Sequence, residues 1–166
     1  WYKKNKSFLI FLSINKYIYI TLSKRDYDKK IWLSYSNIEK INKISSIKNE
    51  YIKICLNRFN NLDGIELHSI TDIPSSSGLG SSGSFLVAIN HALNIYNNIK
   101  MNKKDLAELS CYQEMINLKK SSGKQDQYAA VYGGLRSMKI NHEGMVKINN
   151  INITEKNFKN FQNNIL

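Results

Sequence analysis

Short runs rich in Ile, Leu, Phe and Tyr mark the first half of the chain, and most of them alternate hydrophobic with polar positions. They cover residues 7–13, 17–22, 31–36 and 65–70. A period of two is typical of strands that bury one face, and β-branched and aromatic residues favour the same structure. We therefore predict four strands in this half of the chain.

Between the third and fourth runs, the spacing of apolar residues changes to that of an α-helix. Ser45 or Ser46 would cap this helix, and the polar residues 60–64 would end it. Two further helical stripes follow residue 84, and Asn102 opens the second of them. The inward positions predicted for the three helices are Ile47, Tyr51, Ile54, Cys55 and Phe59, then Phe85, Ile89, Ala92, Leu93 and Tyr96, then Leu106, Leu109, Gln113 and Ile116.

The last third of the chain predicts a short helix that ends at Gly133 and Gly134, and then a hairpin of residues 135–140 and 145–148. A polar tail with one possible helix follows the hairpin. This order of strands and helices is typical of an α/β fold, in the form of an α+β two-layer sandwich.

We predict one domain over residues 1–149 and a connection toward a further domain over residues 150–166. Because the sequence begins with Trp1, we expect the translated start to lie upstream. The apolar segment of residues 8–20 is interrupted by polar side chains, so it is too short and too polar for a membrane span. We therefore expect no membrane partner.

Composition narrows the classes of partner and compartment. The formal net charge is +11, from 24 Lys and Arg against 13 Asp and Glu. The lysines are scattered along the chain, which favours a solvated surface over a nucleic-acid interface, although the same charge would attract anionic substrates. Cys55 and Cys111 lie far apart without metal-ligand spacing, so we predict neither a disulfide nor a zinc site, and a cytoplasmic location.

One Gly/Ser-rich loop, Pro74 to Ser84, joins the fourth predicted strand to the helix after it. Gly78 and Gly80 can adopt positive φ, so the backbone N–H groups can converge on a phosphate at the helix N-terminus. The loop lacks the Lys of a Walker A motif. We predict that amides, the helix dipole and serine hydroxyls hold the phosphates, with positive charge from magnesium or another segment. The alternative, a flexible connector, is disfavoured by the position between strand and helix.

The segment PSSSGLGSSGS at residues 74–84 resembles the nucleotide loop of the galactokinase, homoserine kinase, mevalonate kinase and phosphomevalonate kinase (GHMP) superfamily. A second segment, GKQDQYAA at residues 123–130, is similar to the second active-site segment of its heptose 7-phosphate kinase branch. Galactokinases carry a related GxxDQ element. The resemblance covers most of the chain, from about residue 14 to about residue 134, and both motifs stand in the family's order.

The resemblance implies an enzyme that uses ATP and Mg²⁺. Asp126 would be the catalytic carboxylate that takes the acceptor's proton, and the start of a short helix would favour its ionised form. Lys124 and Lys16 are candidates for binding a phosphorylated substrate, with a plain surface role for Lys124 equally open. Ser82 and Glu114 would hold magnesium. The residues that would bind the nucleotide are Pro74, Gly78, Leu79, Gly80, Ser81, Ser82 and Gly83.

The fold that the resemblance implies is the superfamily's N-terminal domain, with a left-handed βαβ crossover. Relatives carry a Gly-rich sugar-binding segment ahead of the region seen here and a second domain after it. We therefore expect this chain to be truncated at both ends, to need the missing C-terminal domain and to be inactive alone. Gly83 and Ser84 stand where many relatives have alanine or serine.

The reaction that the resemblance implies is ATP-dependent phosphorylation of D-glycero-D-manno-heptose 7-phosphate at its anomeric hydroxyl. One alternative is another sugar kinase of the superfamily, acting on galactose, fucose or an amino sugar. A second is a non-catalytic sensor of nucleotide and sugar, which the presence of both Asp126 and Glu114 disfavours.

Overall fold

The structure, a computed structural model, describes residues 5–59, 64–74 and 77–164. The predicted helix end at residues 60–63, and Ser75 and Ser76 of the Gly/Ser-rich loop, lie outside the described residues. The described strands are β1 (Ser7–Leu12), β2 (Ile18–Lys24), β3 (Ile31–Ser34), β4 (Ile38–Ile41), β5 (Ile65–Thr71), β6 (Leu135–Ile140) and β7 (Val146–Asn150). The described α-helices are α1 (Glu50–Leu56), α2 (Ser81–Tyr96), α3 (Lys103–Tyr112), α4 (Gln125–Tyr132) and α5 (Glu155–Asn163).

The chain divides into two compact units. One consists of residues 15–132, and the other joins the segment before residue 15 to the segment after residue 132. Each unit has its own sheet, β2-β5-β3-β4 in the first and β1-β6-β7 in the second. The predicted boundary between residues 149 and 150 stays a prediction.

The sheet of residues 15–132 is mixed. β2 pairs antiparallel with β5, β4 pairs antiparallel with β3, and β3 pairs parallel with β5. A parallel pair needs a crossover connection, and here the connection contains β4 and α1. The left hand expected for such a crossover stays a prediction. All four predicted strands are confirmed, whereas β4 was missed.

Helices cover one face of this sheet, so the predicted α/β two-layer class is confirmed. Ile31, Leu33, Ile65 and Leu67 alternate along β3 and β5 with side chains at most 2% exposed. Ile52, Cys55 and Leu56 of α1 and Leu86, Ile89 and Leu93 of α2 complete the same buried cluster. α3 and α4 pack in turn on α2.

The N-cap predicted for α1 was wrong. Asn49 caps this helix, since its side chain accepts hydrogen bonds from the N–H groups of Tyr51 and Ile52, both at 3.0 Å. Ser46 instead ends a 3-10 turn that begins at Ile44, and its side chain is exposed. Asn102 caps α3 as predicted, by accepting from the N–H of Asp105.

The buried face of α3 also differs from the predicted stripe. Leu106 and Gln113 are buried as predicted, but Ile116 is 53% exposed, and the other inward positions are small or polar. The helix continues into a π-helical segment, Gln113–Asn117, in which the Leu118 N–H bonds the Gln113 carbonyl at 2.9 Å. Gln113 and Glu114 at its start are both buried.

The sheet of the second unit contains the predicted hairpin. β6 pairs antiparallel with both β1 and β7. Gly133 and Gly134 adopt φ of 66° and 72° between α4 and β6, as their predicted role in ending a helix requires. Cys55 and Cys111 are free buried thiols. Among the described residues, no helix is long and apolar enough to cross a membrane.

The two possible N-caps of α1 give a direct test. We expect Asn49→Ala to lower the free energy of unfolding by about 1 kcal/mol, because two helix N–H groups lose their acceptor. Ser46→Ala is the matched control, and we expect it to change stability by less than about 0.5 kcal/mol. Chemical denaturation of both variants measures the difference, and equal effects would contradict the Asn49 cap.

Candidate active site

The Gly/Ser-rich loop leaves the sheet at the end of β5. There the Asp72 carboxylate accepts from the Tyr17 N–H at 3.0 Å, and the Asp72 N–H donates to the Tyr17 carbonyl at 3.0 Å. Pro74 follows and is exposed. Lys16, also exposed, directly precedes Tyr17, so it lies beside the strand end from which the loop departs.

The loop ends where α2 begins, at Gly80. This residue is the N-cap in the left-handed region, with φ of 71° and no side-chain cap. Ser81 and Ser82 are the first helical residues, and the first backbone bond of the helix runs from the Ser84 N–H to the Gly80 carbonyl at 3.0 Å. The N–H groups of residues 81–83 therefore have no acceptor within the helix, which makes this end a site for an anion.

Asp126 lies directly against this helix end. A Cβ on Gly80 would come within 2.9 Å of the Asp126 Cγ, and a Cβ on Gly83 within 2.8 Å of the Asp126 Cβ. The Gly83 Cβ would also come within 3.2 Å of the Gln127 side chain. The first turns of α2 and α4 can approach this closely only because both positions lack a side chain.

Glu114 reaches the same region from the π-helical segment, and it is 3% exposed. One of its carboxylate oxygens, Oε2, accepts a hydrogen bond from Nε2 of Gln127, the residue after Asp126. The other, Oε1, accepts from the hydroxyl of Tyr51 on α1 at 3.4 Å. Sequence reasoning gave Tyr51 only a packing position and gave Gln127 no role of its own.

The donor set fits a magnesium ion. Glu114 accepts from Gln127, whose side chain lies against Gly83, the residue after Ser82, so the two predicted ligands lie near the same contact. The described residues contain no cluster of three or more His, Cys, Asp or Glu that could hold a metal. Magnesium does not need one, because it is typically held by one or two protein oxygens together with substrate phosphates and water.

The sequence predicted that the start of α4 favours the ionised form of Asp126, whereas the surroundings in the structure disfavour that form. Burial and, second, the negative charge of Glu114 raise the pKa of Asp126 above its ordinary value. Asp126 does lie in the first turn of α4, where the dipole favours a negative charge. Loss of hydration and the second carboxylate outweigh that effect.

Lys124 has a partner within the chain. Its ammonium group contacts both carboxylate oxygens of Glu108, at 2.7 and 2.9 Å, and its side chain is largely buried. The Tyr128 hydroxyl donates to the same carboxylate. This cluster orients the start of α4, which contains Asp126. A contact of Lys124 with substrate stays a prediction, as does one of Lys16.

Known proteins resemble this chain in sequence. A family profile described as "GHMP kinases N terminal domain" matches residues 46–134. D-glycero-alpha-D-manno-heptose 7-phosphate kinase of Campylobacter jejuni is 29% identical over 161 residues, which are 90% of this chain and 48% of that protein. A homoserine kinase of Staphylococcus epidermidis is 30% identical over 130 residues, 75% of this chain and 39% of that protein. The chain thus spans about half the length of these relatives or less.

Solved structures resemble it in fold. A D-glycero-D-manno-heptose 1-phosphate kinase from Bacteroides thetaiotaomicron superimposes with a TM-score of 0.85 at 23% identity, over 93% of this chain and 54% of that chain. Lactococcus lactis galactokinase complexed with galactose gives a TM-score of 0.71 at 20% identity, over 93% of this chain and 44% of that chain. The fold that the sequence motifs implied is therefore confirmed.

The close approach of α2 and α4 predicts the effect of one methyl group. Gly83→Ala should lower the free energy of unfolding by about 1 kcal/mol, since overpacking costs about 1–3 kcal/mol and the better helix propensity of alanine returns only up to about 1 kcal/mol. Chemical denaturation measures the change. Ser84→Ala, one position further along α2, is the matched control and should stay within about 0.5 kcal/mol. A Gly83→Ala variant as stable as its parent would contradict the close approach.

Proposed function

Because this chain belongs to the GHMP kinase family, we propose that it is the nucleotide-binding part of a kinase that transfers a phosphoryl group from ATP to a sugar phosphate. The observation that carries the proposal is the packing of Asp126 against the N-terminus of α2 across Gly80 and Gly83. An anion bound by that helix end would lie next to a carboxylate that can take a proton from the acceptor.

The nucleotide phosphates would bind the backbone N–H groups at the start of α2. Gly78 has a φ of 75°, and among the described residues beyond its chain neighbours no atom would lie within 4 Å of a Cβ at this position. Leu79 is 57% exposed and Pro74 is exposed as well, so both would border the nucleotide. Together with Gly80, Ser81, Ser82 and Gly83, they form the nucleotide site of the proposal.

Ser82 and Glu114 would hold the metal ion of this reaction with their side-chain oxygens. When bound, magnesium would neutralise charge on the transferring phosphoryl group. Ser82 lies in the first turn of α2 and Glu114 in the π-helical segment that follows α3, so the two ligands come from different helical segments. Their mutual distance is therefore set by how the helices pack.

Asp126 would act as the base. Its carboxylate takes the proton of the acceptor hydroxyl while that oxygen bonds to the γ-phosphorus and the bond from phosphorus to the ADP oxygen breaks. The raised pKa of Asp126 makes it a stronger proton acceptor than an exposed aspartate. Lys124, through Glu108 and Tyr128, would help to hold the start of α4 in position.

For the acceptor, we propose D-glycero-D-manno-heptose 7-phosphate, phosphorylated at its anomeric hydroxyl. The support is the Campylobacter jejuni relative of that name, which aligns over 90% of this chain. A phosphorylated sugar can form charge-assisted bonds with basic side chains. Of the two lysines considered for this, Lys16 is exposed, whereas Lys124 is engaged by Glu108.

Activity of the protein that carries this chain should depend on Asp126. We expect Asp126→Asn to lower kcat by about 10²- to 10⁴-fold, the usual contribution of a general base, with little change in nucleotide Kd. A coupled ADP-release assay and nucleotide titration measure both quantities. Unchanged turnover would remove Asp126 from the mechanism and favour the non-catalytic sensor.

A stability measurement serves as the control for this variant. Folding raises the pKa of Asp126, so the ionised carboxylate costs stability once the pH exceeds the unfolded value near 3.8. An amide carries no such cost. In metal-free buffer at pH 7, Asp126→Asn should therefore be at least as stable as its parent, and the advantage should disappear as the pH falls toward that value. A loss of stability at pH 7 would mean that lost activity reflects misfolding.

The choice of acceptor is tested by direct competition. We expect kcat/KM for D-glycero-D-manno-heptose 7-phosphate to exceed the values for galactose, fucose and homoserine, because only the heptose phosphate offers a phosphate group to basic residues. The Lys16→Ala variant should lose part of this preference through a higher KM for the phosphorylated sugar. Faster turnover of galactose or fucose would favour another sugar kinase, and faster turnover of homoserine would exclude a sugar acceptor.

A further inference from the structure

Two side chains to which the proposed reaction gives no part hold the carboxylate of Glu114. Gln127 of α4 donates its amide N–H to Oε2, and Tyr51 of α1 donates its hydroxyl to Oε1 at 3.4 Å. Burial of a carboxylate costs free energy unless hydrogen-bond donors replace the water it has lost. Within the described part of the chain, each oxygen of Glu114 has one such donor, and the two donors belong to different helices.

This arrangement fixes the orientation of the carboxylate. A carboxylate offers about four lone-pair positions, so one donor on each oxygen leaves acceptor capacity on both. Rotation of the Glu114 side chain would break at least one of the two bonds. The free lone pairs are therefore held in one direction before any ligand arrives, which is the condition for a ligand of an ion with strict geometry.

We propose that Tyr51 and Gln127 are positioning residues that orient Glu114 for a divalent cation. The inference rests on the proposed function, which supplies the cation and its two ligands. Neither residue would touch the reacting atoms. Both would act through the affinity of the site for the metal and through the amount of metal that turnover requires.

The cost of burying Gln127 argues against a purely structural role. Gln127 is 0% exposed, and its Oε1 has no hydrogen-bond partner within the described part of the chain. A buried unpaired polar atom destabilises a protein, and an apolar side chain of similar volume would avoid that cost. The amide group is thus better explained by its Nε2 bond to Glu114 than by packing.

The test measures metal binding apart from activity. In the protein that carries this chain, with bound nucleotide, Mn²⁺ titrations followed by electron paramagnetic resonance would compare Tyr51→Phe and Gln127→Met with the parent. We expect each variant to raise the Mn²⁺ dissociation constant roughly tenfold, as loss of a partner of a metal ligand typically does. The nucleotide Kd without metal should not change. Tyr112→Phe, which removes a hydroxyl from a side chain 56% exposed on α3, is the control and should bind Mn²⁺ like the parent.

A double-mutant cycle separates positioning from other effects. In a Glu114→Gln background, Gln127→Met should weaken Mn²⁺ binding by less than about twofold, because both changes act through one ligand. A full tenfold effect in that background would overturn the inference for Gln127. If Glu114→Gln weakens Mn²⁺ binding but Tyr51→Phe and Gln127→Met do not, the positioning role of Tyr51 and Gln127 is wrong, whereas the metal site at Glu114 is supported.

The same titrations distinguish a failure of the proposed function from a failure of the positioning role alone. If Ser82→Ala and Glu114→Gln both leave Mn²⁺ binding unchanged, the proposed metal site is wrong and the positioning role falls with it. Gln127→Met changes a fully buried side chain, so circular dichroism must report a native fold before its result counts. Should it fail to fold, Tyr51→Phe decides alone, since it keeps the ring and removes only the hydroxyl.

Discussion

Two helices of this chain begin side by side, and the space between their first turns is too small for a methyl group at position 80 or 83. Each helix N-terminus carries a partial positive charge, so two of them in contact would repel one another unless negative groups lie near both. Asp126 supplies one such group in the first turn of α4. The proposed nucleotide phosphates would supply the other at the start of α2. The glycines, the loop and the acidic residue therefore form one arrangement.

The two carboxylates near these helix ends oppose each other. Glu114 is buried, and its charge contributes to the raised pKa of Asp126. The nearby Lys120 does not neutralise them fully, because its ammonium group pairs with Glu50 at 2.5 Å. Folding thus brings together negative groups that would be more stable apart. Such a cost is typical of sites where function and stability conflict, and the divalent cation of the proposed function would relieve it.

Individual strands and caps show which parts of the fold can be predicted from the sequence. The strands β2, β3 and β5 follow a simple alternation because one face of each packs on apolar helices. β4 was missed because Glu39, a charged residue, points inward and interrupts the alternation of apolar positions. Its buried carboxylate accepts hydrogen bonds from the Tyr35 hydroxyl at 2.7 Å and the Lys48 N–H at 2.9 Å. The cap of α1 was misplaced since serine and asparagine serve equally well in principle. The loop and Asp126 were found by motif, and their contact through Gly83 was not.

The face of α3 explains why the rest of the site was harder to predict. Hydrophobicity selected Leu109 and Ile116, yet the face that packs inward carries Ala107, Ser110 and Glu114 beside the predicted Gln113. Asn90 of α2 donates to Gln113 at 2.6 Å and to Ser110 at 3.2 Å, whereas the Gln113 Nε2 has no partner among the described residues. Arg58 donates in turn to Asn90 at 2.7 Å.

A buried polar network of this kind leaves no hydrophobic period in the sequence, since each side chain is specified by its partner and not by its transfer free energy. Glu114 directly follows Gln113 of that network, where the helix widens into a π-helical turn, a feature frequent at functional sites. Its partners Tyr51 and Gln127 are distant in sequence, so the contacts that orient it arise only from the packing of three helices. A search for buried polar pairs between helices, more than a search for motifs, would therefore find residues of this class.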